Sequence, residues 1–256
     1  VNPDRLIVFD VDGTLTATTG VDDHCLATAW SRVFGIHEED IDTDWTTYQH
    51  STDDGLTLEV CRRALKRDPT SQEVGEVKHE FFTLLRERIG ADPSRCIPVP
   101  GAAALLAHLA GEGCRIGLAS GAWQESAQIK LEAAGIKAMH LPGTFSHPKS
   151  GPSSEKGGTG GSSASDAATA TPATREDIIQ GTLNKLSTQS PPSSRPLYIG
   201  DGPWDARAAR NLSLAFIGIR VDNNHSRLEA QGARTIFQNY TNLPAILHAI
   251  TTATTQ

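Results

Sequence analysis

Near the start of the chain four apolar residues, Leu6 to Phe9, run straight into Asp10-Val11-Asp12-Gly13-Thr14. A continuous apolar run of this length reads as a strand buried on both faces, the kind found in parallel sheets. Asp10 and Asp12 then stand where that strand emerges, at its carboxyl end, which is where open α/β sheets bind ligands. Residues two apart on an extended strand point the same way, so both carboxylates can face one site. Gly13 allows a sharp turn. A polar hairpin turn at Asp12-Gly13 is the simpler alternative. Such a turn has no need of two carboxylates on one side, where they repel unless a cation lies between them.

The rest of the chain alternates strand and helix patterns, which argues for a parallel, doubly wound sheet. Arg115–Ala119, 138–145, Leu197–Gly200, Ala215–Ile219 and Arg234–Phe237 read as strands. Helices are expected at 101–112, 124–134, 175–186 and 243–250, with a frayed tail at 251–256. Residues 20–92 break the alternation. They hold three helical patterns, at 21–36, about 54–67, and from Thr70 to Ile89, and no strand. Asp22 or Asp23 is placed to cap the first, and Thr70 with Glu73 forms a capping box for the third. From Ser150 to Thr174 only Glu155, Lys156 and Asp166 depart from Gly, Ser, Thr, Ala and Pro. A segment without apolar anchors cannot offset its ordering entropy and reads as a disordered surface insertion. A smaller insert spans 188–196.

A second acidic turn, Gly200-Asp201-Gly202-Pro203-Trp204-Asp205, follows the Leu197 strand. Together with Asp10-x-Asp12-Gly13-Thr14 it resembles motifs IV and I of the haloacid dehalogenase-like hydrolase superfamily, GDxxxD and DxDGT, at every defined position. Ser120-Gly121, at the end of the Arg115 strand, resembles motif II. Read alone, Ser120 is equally an ordinary cap of the following helix. Motif III, a basic residue opening a helix before motif IV, is best matched by Arg175, with Lys149 and Lys156 as alternatives. Without the resemblance Arg175 is a solvated charge at a helix start, on the unfavourable side of the helix dipole.

The resemblance implies a Rossmann-like α/β core over 1–19 and 93–256, with 20–92 as an inserted helical C1 cap. It further implies a Mg²⁺-dependent phosphatase. Asp10 would be the nucleophile and Asp12 the general acid and base. Asp10, Asp201 and the Asp12 carbonyl would hold the metal, with Asp205 orienting the metal site. Ser120, Gly121 and Arg175 would hold the phosphate. Members of the superfamily also include phosphomutases, phosphonatases and dehalogenases. The dehalogenases lack the second aspartate of motif I, so Asp12 favours phosphoryl transfer. Phosphonatases use a cap lysine, and the only lysines in 20–92, Lys66 and Lys78, lie outside the polar cap loop. A phosphomutase, or a non-catalytic phosphate-binding protein, is the alternative. The loop 45–55 is expected to set substrate choice through Tyr48, His50, Thr52 and Asp53; a self-bonded loop, with Asp53 capping the next helix, is the other reading. A small phosphorylated metabolite is the expected partner, phosphoglycolate-like or a sugar phosphate.

Composition narrows the alternatives. The formal net charge of −7 offers no basic field for nucleic acid or an anionic membrane. No apolar run approaches the ~18 residues of a membrane span. Cys25, Cys61, Cys96 and Cys114 contain no C-x-x-C pair, so zinc and dithiol chemistry is not indicated. With no signal-peptide pattern ahead of the first strand, in a sequence that begins at Val1, a cytoplasmic location is the expectation.

Overall fold

The computed structural model describes residues 5–18, 20–149, 171–187 and 195–255. The first strand, β1 (Leu6–Phe9), is completely buried. Its side chains divide by parity: Ile7 and Phe9 enter the larger apolar core, and Leu6 and Val8 the smaller one on the opposite face. This is the two-sided burial expected of a central parallel strand. The chain continues through β2 (Thr16–Ala17) and helices α1 (Val21–Phe34), α2 (Asp53–Leu65) and α3 (Ser71–Ala91). It returns through β3 (Ile97–Pro98), which pairs antiparallel with β2. Next come α4 (Ala102–Gly111), β4 (Arg115–Ala119), α5 (Gln124–Ala133), β5 (Gly143–Thr144) and α6 (Arg175–Ser187). The last elements are β6 (Leu197–Gly200), α7 (Pro203–Asn211), β7 (Ala215–Ile219), α8 (Ser226–Glu229), β8 (Ile236–Phe237) and α9 (Leu243–Thr255).

Six strands form one parallel sheet in the order β5-β4-β1-β6-β7-β8. The chain builds outward from β1 through β4 to β5, then starts again on the other side with β6. The carboxyl ends of β1, β4 and β6 therefore meet where the winding reverses, the place at which open α/β sheets form their crevice. This is a Rossmann-like α/β fold.

The three α-helices between β2 and β3 pack on one another and share the larger core with Ile7 and Phe9. Trp30 of α1 is fully buried and donates its indole N–H to Thr57 Oγ1 of α2 at 3.0 Å. Val77, Phe81 and Leu85 supply the buried stripe of α3. The Thr70–Glu73 capping box forms as expected. The start of α1 does not follow expectation: its cap is Gly20 in a left-handed conformation, and neither Asp22 nor Asp23 caps it. Asp23 instead accepts the Trp45 indole N–H at 2.8 Å, and Asp22 pairs with Lys130, described below.

Other differences have local causes. The strand expected over 138–145 shrinks to Gly143–Thr144, because Pro142 has no N–H to give a ladder. The tail expected to fray instead continues α9 to Thr255. There Thr251, Thr252 and Thr254 turn their hydroxyls back onto the carbonyls of Leu247, His248 and Ile250, and Ile246 and Ile250 anchor the helix in the core. All four cysteines are buried and free.

Most of the expected 150–174 insert (150–170) and most of the 188–196 insert (188–194) lie outside the described residues. The end of the longer insert does not belong to it. Residues 171–173 pair antiparallel with 147–149, through Lys149 N–H to Thr171 O and Ala173 N–H to His147 O, and Ala173 is buried. This neck already brings the two ends of the segment together. Between 152 and 170 no apolar side chain exceeds Ala or Pro, so replacing 152–170 by a short Gly-Ser link removes little core burial. Closure entropy changes by only about 0.6 kcal/mol per doubling of length. The melting temperature of that variant should stay within a few degrees of wild type. A drop of ten degrees or more would show that the segment packs on the core.

Candidate active site

Three backbone turns deliver the site. At the end of β1, Asp10 is 2% exposed and its N–H bonds to Ile199 O of β6. Gly13 then turns with φ +69°, and a Cβ there would lie 2.0 Å from Asp201 Oδ2. Glycine is required both for the left-handed backbone and for the approach of the second acidic turn. That turn leaves β6 as Asp201-Gly202, and Pro203 opens α7, a favoured first helical position. Asp205 in the first turn of α7 accepts the Gly202 N–H on Oδ2 at 2.9 Å and the Tyr198 hydroxyl on Oδ1 at 3.0 Å.

Asp10, Asp201 and Asp205 each offer a carboxylate oxygen, and these oxygens lie within 4.8 Å of one another. Arg175 enters the same cluster from the first turn of α6. Its Nη1 is 3.3 Å from Asp10 Oδ1 and its Nε 3.2 Å from Asp205 Oδ1. Burial pushes the Asp10 carboxyl up to about 8 against the pull of Arg175. Burial, with Asp205 and Asp10 adding to it, holds Asp201 well above the usual carboxylate range. Three clustered carboxylates, with Arg175 inside the cluster and Arg220 3.9 Å from Asp201 at its edge, carry surplus negative charge that burial makes costly. Hard oxygen donors with unmet charge have the composition of a divalent-metal site. Asp205, fully buried and with both oxygens engaged, orients this cluster from behind, while Asp10 and Asp201 line the adjoining cavity.

That cavity, about 650 Å³, is of the size that holds small molecules. Asp10, Asp12, Ser120, Gly121, Arg175 and Asp201 all line it. Ser120 is not the cap of α5, as one sequence reading had it. The helix starts only at Gln124, and Ser120 Oγ accepts the Ala122 N–H at 3.2 Å. The Trp123 N–H at the start of α5 goes instead to Asp53 Oδ2 at 2.9 Å. Gly121 sits where a Cβ would lie 2.4 Å from Ser51 O and 3.0 Å from Arg175 Nη1. Its carbonyl accepts the Asp53 N–H at 2.8 Å. This junction brings the start of α2 against the end of β4.

Of the motif III alternatives, Lys149 is 43% exposed and pairs with Asp177 at 2.8 Å, away from the cavity. Lys156 lies outside the described residues.

The expected specificity loop divides. Asp53 lines the cavity, and so do its neighbours Ser51 and Trp45. Tyr48, His50 and Thr52 do not line it; Tyr48 and Thr52 are engaged through their side chains and His50 through its backbone. The Tyr48 hydroxyl donates to Asp42 O at 2.8 Å and its ring lies 3.9 Å from the Arg63 guanidinium carbon. The His50 N–H bonds to Glu59, and Thr52 caps α2 through the Gly55 N–H. Tyr48 instead borders a smaller neighbouring cavity of about 290 Å³, with Trp204, Arg207 and Arg227.

Sequence reasoning missed Lys130. It is 0% exposed, and its Nζ lies 2.8 Å from both Asp12 Oδ2 and Asp22 Oδ1. The signal was present: Ala127, Lys130, Leu131 and Ala134 fall at i, i+3, i+4 and i+7 of α5, so the lysine occupies its buried stripe. Arg220 at the cavity rim was also missed. It pairs with Asp222 and reaches the Asp201 carbonyl at 3.3 Å.

Comparison with known proteins agrees with this geometry. A family model described as haloacid dehalogenase-like hydrolase matches residues 5–212, and the chain belongs to that family. No curated protein matches the chain. Solved structures share the fold at low identity. A hydrolase from Pseudomonas syringae is 20% identical with a TM-score of 0.63, covering 96% of this chain and 99% of its own. A protein provisionally described as a beta-phosphoglucomutase, from Bacteroides vulgatus, is 17% identical at TM-score 0.63, covering 98% and 90%. A predicted phosphoglycolate phosphatase from Haemophilus somnus 129PT is 16% identical at TM-score 0.57, covering 96% and 99%. Among the described residues no helix is long and apolar enough to cross a membrane.

Proposed function

We propose that this chain hydrolyses a small phosphomonoester, with Mg²⁺, through an aspartyl-phosphate formed on Asp10. One observation carries the reading: Asp10 stands at the cavity wall between a guanidinium and a buried acid cluster, with Asp12 on the same wall. A phosphomonoester resists attack because its oxygens are negative and its alkoxide leaves poorly. Arg175, the Ser120 hydroxyl and the Gly121 N–H would hold the non-bridging oxygens. The Asp10 carboxylate forms a bond to phosphorus as the bond to the leaving oxygen breaks, and Asp12 gives that oxygen its proton. Water then attacks the phosphoryl group, Asp12 takes the water proton, and Asp10 is released with inorganic phosphate. Mg²⁺ held by Asp10 and Asp201 would supply charge neutralisation for the phosphoryl oxygens.

Helices α1–α3 and their loops contribute Asp22, Asp23, Trp45 and Asp53 to the cavity, which fits a cap that shapes the leaving-group side. Seven aspartates and two arginines line the cavity as a whole. Such a wall disfavours a carboxylate on the substrate in addition to its phosphate and favours hydroxyl groups, so a sugar phosphate fits better than phosphoglycolate. In a phosphate-release screen with Mg²⁺, sugar and polyol phosphates should exceed phosphoglycolate by about tenfold or more in kcat/KM, the worth of ~1.4 kcal/mol of binding. Phosphoglycolate as the best substrate would overturn this choice, and no release from any ester would overturn hydrolysis itself. A phosphomutase of the same fold would return an isomerised sugar phosphate in place of free phosphate.

A further inference from the structure

Lys130 does not line the cavity, but Asp12, Asp22 and Asp53 around it do. Its ammonium is bonded at 2.8 Å to Asp12 Oδ2, 118 residues away in the chain, and at 2.8 Å to Asp22 Oδ1, 108 residues away. Asp53 is the third carboxylate whose charge acts on it. The Asp12 and Asp22 carboxylates at 2.8 Å keep the amine protonated despite complete burial. A lysine held this way is an ammonium donor and not a free amine nucleophile.

The bond distinguishes the two oxygens of Asp12. Oδ2 is committed as acceptor to the ammonium. Oδ1 is buried and has no hydrogen-bond partner among the described residues. With Oδ2 committed to the ammonium, Oδ1 is the oxygen left open for a proton exchanged with the substrate. We infer that Lys130 is a positioning residue, which holds Asp12 by one oxygen and thereby leaves the other to exchange a proton with the substrate. The inference rests on the reading of Asp12 as the acid and base of ester hydrolysis. The competing role is a structural staple joining α5 to α1 through Asp22.

Leaving-group dependence separates the two roles. p-Nitrophenyl phosphate has a leaving group that departs without a proton, whereas glycerol 2-phosphate does not. Its kcat/KM reports the steps through departure of the leaving group. Wild-type turnover of both esters with Mg²⁺ tests the underlying reading separately, and turnover of neither would defeat that reading first. With both turned over, Lys130→Met should lower kcat/KM for glycerol 2-phosphate by about 10²-fold or more, the usual scale of a positioned proton donor. The loss for p-nitrophenyl phosphate should stay under about tenfold. The loss should lie in kcat, with KM changed less than about threefold, because Lys130 touches no substrate. Lys130→Met added to Asp12→Asn should cost little more than Asp12→Asn alone.

Removing one ammonium among three aspartates can unfold the protein. Lys130→Met combined with Asp22→Asn, which takes away one carboxylate as well, then serves in its place with the same expected split. Asp22→Asn by itself keeps the Lys130–Asp12 bond, and the combined variant is compared with it so that any effect of Asp22 on the leaving-group side cancels. Equal losses on both esters, or full multiplication of the Lys130 and Asp12 effects, would assign Lys130 to the staple role and overturn the inference.

Discussion

Asp10→Asn should abolish turnover of every phosphomonoester the wild type hydrolyses, by about 10⁴-fold or more, as loss of a covalent nucleophile does. Asparagine preserves shape and removes only the charge and the attacking oxygen. The same variant should be at least as stable as wild type without metal. Asp10 is 2% exposed and shares Arg175 with Asp205, so its charge is costly to bury. A ligand that binds only the folded state raises the melting temperature. Mg²⁺ should therefore stabilise wild type more than Asp10→Asn, which has lost one of its charged donors. Thermal melts with and without Mg²⁺ check this. An inactive variant that also melts far below wild type would show that Asp10 is a structural residue and not a nucleophile.

Arg175→Ala should be costly on both counts. It leaves Asp10 and Asp205 buried without their shared guanidinium, Arg220 reaching only Asp201 at 3.9 Å, and breaking a buried pair from one side costs about 3–5 kcal/mol. It also removes a donor from the phosphoryl oxygens, with an expected loss in kcat/KM of about 10³-fold. Arg175→Lys should fall between, since it restores charge without the planar fork. Lys149→Ala is the control: its pair with Asp177 is exposed, and such pairs contribute about 0–1 kcal/mol. Denaturant midpoints and kcat/KM on one substrate measure all three. Near-normal activity in Arg175→Ala with loss in Lys149→Ala would reverse the assignment of the basic residue.

What could be read from the sequence was local. Leu6–Phe9 with Asp10, Asp12 and Gly13, and Gly200–Asp205 after Leu197, are each a strand and its turn, so spacing alone placed their carboxylates. Arg175 was legible as the opening of a helix, though only tertiary structure brings it to Asp10, 165 residues away. In the sequence Ser120 stays open between cap and site because it looks adjacent to α5, whereas the N-cap is Trp123, whose N–H is held by Asp53 from across the fold. The loop 45–55 leaves two readings open because a dense polar loop bonds to its neighbours as readily as it lines a site; Tyr48 and His50 stand outside the cavity lining. Lys130 was passed over because a single charge in a helix usually reaches solvent, and its partners lie more than 100 residues away. The residues that act through long-range pairs are those that local pattern cannot supply.

Borohydride trapping tests the covalent reading most directly. Wild-type protein is acid-quenched during turnover of an ester with Mg²⁺ and treated with tritiated borohydride, which reduces an acyl phosphate to the alcohol. The expected result is tritiated homoserine at position 10, absent without substrate and absent in Asp10→Asn. Continued phosphate release with no label at position 10, or with the label at another aspartate, would contradict Asp10 as the residue that carries the phosphoryl group.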